Sequence, residues 1–220
     1  MTQARKWLVD NHVPAFYHCT NRCVRRAFLC GVDEETGNDY SHRKVWLENR
    51  MKALSEAFAV DIYAYAIMSN HYHVVLYVDP IAPQQWSDEE IADRWLVAFP
   101  GKDCEKKRAQ RKQTILKSPK RLATLRKRLG RLSWFMSCLN TPLAKLSNLE
   151  DDCTGKFWEK RYTSQALLDE GAIFSCMTYV DFGSLEVKLF LSFSQFQTPF
   201  AAFFVGALRH NRHLTLFFQH

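Results

Sequence analysis

Residues 65–78 read Tyr-Ala-Ile-Met-Ser-Asn-His-Tyr-His-Val-Val-Leu-Tyr-Val. Aromatic and β-branched residues at this density favour extended backbone. Met68, Ser69 and Asn70 supply a turn, so the segment predicts two strands of a hairpin. Successive side chains of a strand point to opposite faces, so His71 and His73 share one face while Tyr72 and Val74 share the other. Two imidazoles side by side on a rigid strand can form half of a divalent-metal site. They can also be two polar residues on a solvated sheet face, and the spacing alone favours that plainer reading.

The hairpin belongs to a chain of 220 residues that is 47% hydrophobic, with 16 phenylalanines. That content can bury a core and excludes wholesale disorder. The length suits one domain with an insertion, or two small ones. A formal charge of +7 favours an acidic partner, of which nucleic acid is the commonest. The excess is local. Residues 102–131 hold thirteen Lys or Arg against two acids, Asp103 and Glu105.

Seven scattered cysteines contain no Cys-x-x-Cys pair. This argues against a zinc ribbon or a secreted disulfide scaffold, and for reduced thiols in the cytoplasm. The basic N-terminus leads into no apolar signal core. Residues 189–208 carry no charge and are long enough to span a bilayer. Ser192, Ser194, Gln195, Gln197 and Thr198 interrupt them, so no membrane partner is expected.

A first strand is predicted over 15–20, with a loop through Arg22, Arg25 and Arg26. Ser41 is placed to cap a helix over about 42–58, with Val45, Trp46, Met51, Leu54 and Phe58 on its apolar stripe. Strands follow over 60–67 and 71–78, closed by Pro80 and Pro83. Asp61 and Asp79, at strand ends, are read as facing water. Ser87 opens a further helix with acids in its first turn. Beyond Pro100 and Gly101 two basic helices are predicted, split near Pro119, the second burying Leu122, Leu125, Leu129, Leu132, Phe135 and Leu139. An extended piece runs from Thr154 to about Ala166, and Asp169 and Glu170 open a helix over Ala172, Ile173, Cys176, Met177 and Val180. This order gives an antiparallel sheet backed by helices, the α+β class. Past Phe182 no period is evident, and eight of the sixteen phenylalanines lie beyond Gly183.

Five segments in this order carry a resemblance. They are Phe-Tyr-His-Cys-Thr-Asn-Arg (16–22) with Arg-Arg-Ala-Phe-Leu-Cys-Gly (25–31), the hairpin strand 65–76, Cys-Thr-Gly-Lys-Phe-Trp-Glu-Lys-Arg-Tyr (153–162), Ser-Gln-Ala-Leu-Leu-Asp-Glu (164–170), and Cys-Met-Thr-Tyr-Val-Asp (176–181). Over roughly residues 14–182 the chain resembles the single-tyrosine HUH transposases, most closely the REP-associated tyrosine transposases.

The resemblance implies a ferredoxin-like antiparallel sheet in one domain, residues 1–182, with a basic helical insertion at about 84–150 and a divergent tail over 183–220. It also implies a cytoplasmic enzyme that nicks and rejoins single-stranded DNA beside hairpins through a 5′-phosphotyrosine. By position, His71 and His73 become ligands of Mg²⁺ or Mn²⁺, and Tyr179 the nucleophile.

The family pattern places an Asn or Gln four residues after the tyrosine, where this chain has Gly183. Gln165 and Asp181 are then the candidate substitute ligands. The alternative is a decayed transposase that only binds DNA hairpins. The Phe-rich departure after Gly183 fits a reading-frame change in the gene.

Tyr162 is the runner-up nucleophile, although its setting also reads as a strand packing aromatics beneath the site. His18 has two equal readings, a neighbour of the metal or a structural hydrogen bond. Lys106, Lys107, Arg108, Arg111, Lys112, Lys120, Arg121, Arg126, Lys127, Arg128 and Arg131, with few acids beside them, are expected to contact phosphates. Arg22, Arg25 and Arg26 are expected to contact DNA near the sheet.

Overall fold

Strands β1 (Ala15–Arg22), β2 (Val60–Ile67), β3 (His71–Val78) and β4 (Thr163–Leu167) form an antiparallel sheet in the order β4-β1-β3-β2. The structure is a computed structural model, and it describes residues 9–24, 27–101, 104–173, 175–176, 188–192 and 215–219. The Met68 amide donates to the His71 carbonyl (2.8 Å) and closes the predicted hairpin. A bulge between Ile62 and Ala64 resets the β2–β3 register. Two further strands lie in the aperiodic tail. β5 (Lys188–Ser192) joins β2 antiparallel, and β6 (Thr215–Gln219) runs parallel to β5. Short apolar runs such as Leu-Phe-Leu show no alternation, so the sequence hides them.

Helices α1 (His42–Ala57), α2 (Asp88–Ala98), α3 (Glu105–Leu116), α4 (Pro119–Leu129) and α5 (Leu132–Glu150) supply the rest. The main core lies between them and the sheet face bearing Tyr17, Cys19, Tyr65, Tyr72, Val74 and Leu76. Each large side chain buried there stabilises the fold by about 1.5–3 kcal/mol. The opposite face is covered only in part. There Ala64, Ala66, Val75 and Leu167 meet Ile173, with Ala172 and Cys176 packed alongside. These three come from the helical turn that begins just after β4.

The structure corrects several expectations. Val45 is exposed, while Leu47 and Arg43 occupy the buried face of α1. Arg43 is fully buried because its guanidinium is saturated. It donates to Glu150 (2.7 Å), to the Phe28 carbonyl (2.7 Å) and to Asp151, and it stacks over Tyr40. Ser41 sits at the start of α1 without a capping bond from its side chain. Ser87 does cap, accepting from the Glu90 amide at 3.1 Å. Asp79, half-exposed, also accepts from the amides of Ile81 and Ala82 and leads into a 3₁₀ turn. Asp61 is half-buried, and desolvation together with Asp79 raises its pKa.

The two helices predicted beyond Gly101 are three, α3, α4 and α5, because the chain breaks at Gly130. Any side chain there would meet Pro80 Cα at 3.0 Å. Helix α5 continues through Pro142. Proline has no N–H for the carbonyl four residues back, that of Cys138. Arg50 supplies the missing donor through Nε (3.1 Å) and donates Nη2–H to the Ala98 carbonyl (2.7 Å).

Candidate metal centre and nucleic-acid interface

Alternation along β1 and β3 brings three imidazoles, not two, to the thinly covered sheet face. His71 lies opposite Arg22 and His73 opposite Thr20, while His18 sits one step along β1. His18 Nε2 and His73 Nδ1 are 2.9 Å apart with their rings stacked. The His71 and His73 ring centres are 5.2 Å apart. His73 is buried at 9% exposure, whereas His18 and His71 are half-buried.

The hydrogen bonds constrain the tautomers. The Asn70 amide oxygen lies 2.6 Å from His71 Nδ1. An amide oxygen only accepts, so Nδ1 carries the proton and Nε2 of His71 presents a lone pair. Between His18 and His73 either nitrogen can donate. Only donation by His73 Nδ1 leaves a lone pair on Nε2 of His73. Such outer hydrogen bonds are how ligating imidazoles are held in one orientation.

Burial lowers the pKa of all three histidines. For His71 the Arg22 charge adds to it, and for His73 the neighbouring imidazoles push the value down to about 4. All three are therefore neutral near pH 7, the form in which imidazole binds a metal. The donor set suits a divalent ion but is incomplete. Among the described residues no group of three or more His, Cys, Asp or Glu is arranged to hold one. Gln165 pairs with His18 in register and is exposed on the same face, so its amide oxygen is available there.

Tyr162 belongs to the main core on the other side of the sheet, which separates it from the imidazoles. Tyr179, Asp181, Gly183, Arg25 and Arg26 lie outside the described residues. Arg22 is exposed beside His71.

The basic helices are less uniformly available than their charge suggests. Arg111 donates to the carbonyls of Phe99 and Pro100, and Lys112 pairs with Asp93 at 2.6 Å. Arg126 holds the Pro83 and Trp86 carbonyls and Asp88. Arg128 lies 4.1 Å from the centre of the Trp134 ring. These four tie α3 and α4 to their neighbours. Their acidic partners, Asp88 and Asp93, come from α2, outside the basic segment 102–131. Lys106, Lys107, Lys120, Arg121, Lys127 and Arg131 are exposed and Arg108 half-exposed, so these seven face solvent.

Asn70 is a site residue that strand alternation does not mark, and its place next to His71 in the turn is the one sequence signal for it. His18 could be put on the imidazole face from the alternation of residues 16–20, but its approach to His73 depends on strand register.

No family model matches the sequence, and no curated protein does. Among solved structures the chain is similar to a REP-associated tyrosine transposase bound to a REP hairpin, at 10% identity and a TM-score of 0.41, covering 83% of this chain and 72% of that one. At that distance no residue role is carried across. Among the described residues no helix is long and apolar enough to cross a membrane.

Proposed function

We propose that the protein is a metal-dependent enzyme that nicks single-stranded DNA beside hairpins and transfers the cut strand, with Tyr179 as nucleophile. One observation carries this reading. Three imidazoles share a sheet face, and Ile173 and Cys176, from the helical turn that precedes Tyr179 in the sequence, pack onto that same face. The strand order β4-β1-β3-β2, with helices on one side, is that of a ferredoxin-like sheet and supports the same assignment.

In this reading His71 and His73 hold Mg²⁺ or Mn²⁺ through Nε2, with Gln165 or Asp181 as an oxygen ligand. When bound, the ion polarises a non-bridging phosphate oxygen and offsets the charge that develops on it. The Tyr179 oxygen attacks phosphorus, a P–O–Tyr bond forms and the P–O3′ bond breaks. The products are a 5′-phosphotyrosine and a free 3′-hydroxyl. The new ester keeps the bond energy, so the hydroxyl can attack it in reverse and reseal a strand. Arg22, beside His71, and the exposed lysines of α3 and α4 hold phosphates.

Gly183 favours a second reading. Glycine offers no oxygen where the resembled pattern has an amide, so the chain can be a hairpin binder that has lost cutting. Incubating the protein with labelled hairpin-flanked single strands and Mn²⁺ separates the two. A covalent adduct that disappears in Tyr179→Phe is expected. Binding with no adduct would leave the binder, and cleavage surviving Tyr179→Phe would point to a different nuclease chemistry.

A further inference from the structure

A groove of about 710 Å³ opens on the helical side of the sheet, between α5 and residues 155–162. Half-buried Trp134 and Trp158 line it. The Trp158 indole is fixed by donating Nε1–H to the Asn140 carbonyl at 3.0 Å, and its ring packs edge-on against Phe157 and Tyr72. Asn140 is itself held, accepting from the Tyr72 hydroxyl at 2.8 Å. A ring already immobilised loses little entropy when a ligand stacks on it.

Around these rings stand Lys145, Lys156, Lys160 and Arg161, all exposed, against the single acid Glu159. None of the four cations forms an ion pair among the described residues. Ser133, Ser137 and Thr141 present hydroxyls at every fourth position of α5, leading up to Lys145. Flat aromatic rings, surplus positive charge and a row of hydroxyls are the requirements of an unpaired polynucleotide, whose bases stack while its phosphates are held. A duplex keeps its base faces covered and has no use for the rings.

The groove also meets the imidazole site at one end of the sheet. The Glu159 amide donates to the Arg22 carbonyl at 3.0 Å, Trp158 bridges to Cys23, and Arg22 pairs with His71. Arg22 ends β1 and His71 begins β3, so a strand leaving the groove there has only this end of the sheet to round before it reaches the imidazole face.

We propose that this groove is a second DNA site, which seats the single-stranded segment continuing from the cut. A base stacks on Trp158, and Lys145, Lys160 and Arg161 hold the backbone. The proposal rests on the reading that the protein acts on single-stranded DNA, but binding here requires neither ion nor tyrosine. The test is fluorescence anisotropy of a labelled thymidine octamer with the full chain in EDTA across a NaCl series. The exposed-site variant Lys145→Glu/Lys160→Glu/Arg161→Glu is expected to bind at least about tenfold more weakly, with a log–log salt slope smaller by about 2. The control Lys52→Glu, at an exposed lysine of α1 outside the groove, stays within about twofold of the parent.

A 5-bromodeoxyuridine-substituted DNA octamer is expected to crosslink to the peptide carrying Trp158. Parent-like octamer binding by the groove variant overturns the proposal, as do crosslinks confined to α3 or α4. Tighter binding of a uridine octamer overturns the assignment to DNA. Octamer binding with no tyrosine adduct sinks the cutting reaction and leaves the groove standing. An adduct together with a parent-like groove variant sinks only the groove.

Discussion

His73 shows how burial and neighbours set the state of one residue. Its folded pKa of about 4 lies below the roughly 6.5 of an unfolded histidine. Between those values the unfolded chain holds a proton that the folded chain does not, so stability falls as pH is lowered through that window. Above about pH 6.5 the contribution is complete, and below about 4 nothing more is lost. His18 and His71 are lowered as well and steepen the same limb. Urea titrations without metal should lose about 3 kcal/mol between pH 6.5 and pH 4. His73→Gln should flatten that slope, and an unchanged slope would place the titration elsewhere. Arg43 is the other decisive residue. Arg43→Ala removes the donors to Glu150, Asp151 and the Phe28 carbonyl together, and should cost about 2–4 kcal/mol in urea unfolding. Glu150 and Asp151 keep partial solvent access, which holds the loss below that of a fully buried pair.

Helix α5 depends on a contact from another element. Pro142 frees the Cys138 carbonyl, and Arg50 of α1 satisfies it while also holding the last turn of α2 at Ala98. Arg50→Met should therefore destabilise by about 2 kcal/mol. Pro142→Ala restores the intrahelical donor, so in the double variant the cost of losing Arg50 should shrink by about 1 kcal/mol. Additive losses in that double-mutant cycle would show that the guanidinium does not serve the proline gap. The break between α4 and α5 has a comparable origin. Gly130 lies against Pro80, so the end of β3 stops α4 and redirects the chain into α5. The sequence marked Pro119 as a boundary because proline acts locally. It could not mark Gly130, whose role comes from a backbone fifty residues earlier.

Over the whole molecule, charge and sheet divide the work. The surplus of positive charge in α3 and α4 is partly absorbed by Asp88, Asp93 and backbone carbonyls, and the exposed remainder forms a surface separate from the imidazoles. Lys106→Glu/Lys107→Glu/Lys120→Glu should weaken binding of a REP-like hairpin and reduce its log–log salt slope by about 3, read by anisotropy across a NaCl series. An unchanged slope would remove that surface from DNA binding. The strands, the hairpin turn and the His71/His73 face were legible in residues 60–78, because a two-residue period and a polar turn are local properties of the chain. The α+β class followed from the order of such segments. Strand register was not legible, and it is register that brings His18 to His73 and Arg22 to His71. Nor was the burial of Arg43, since a charged side chain goes inside only where distant partners saturate it. The groove beside Trp158 needs α5 and residues 155–162 to converge. Local periodicity thus determined the elements and the two imidazoles of β3. Tertiary packing alone decided which side chains from distant segments meet, because those contacts depend on where whole elements stack rather than on any pattern within one of them.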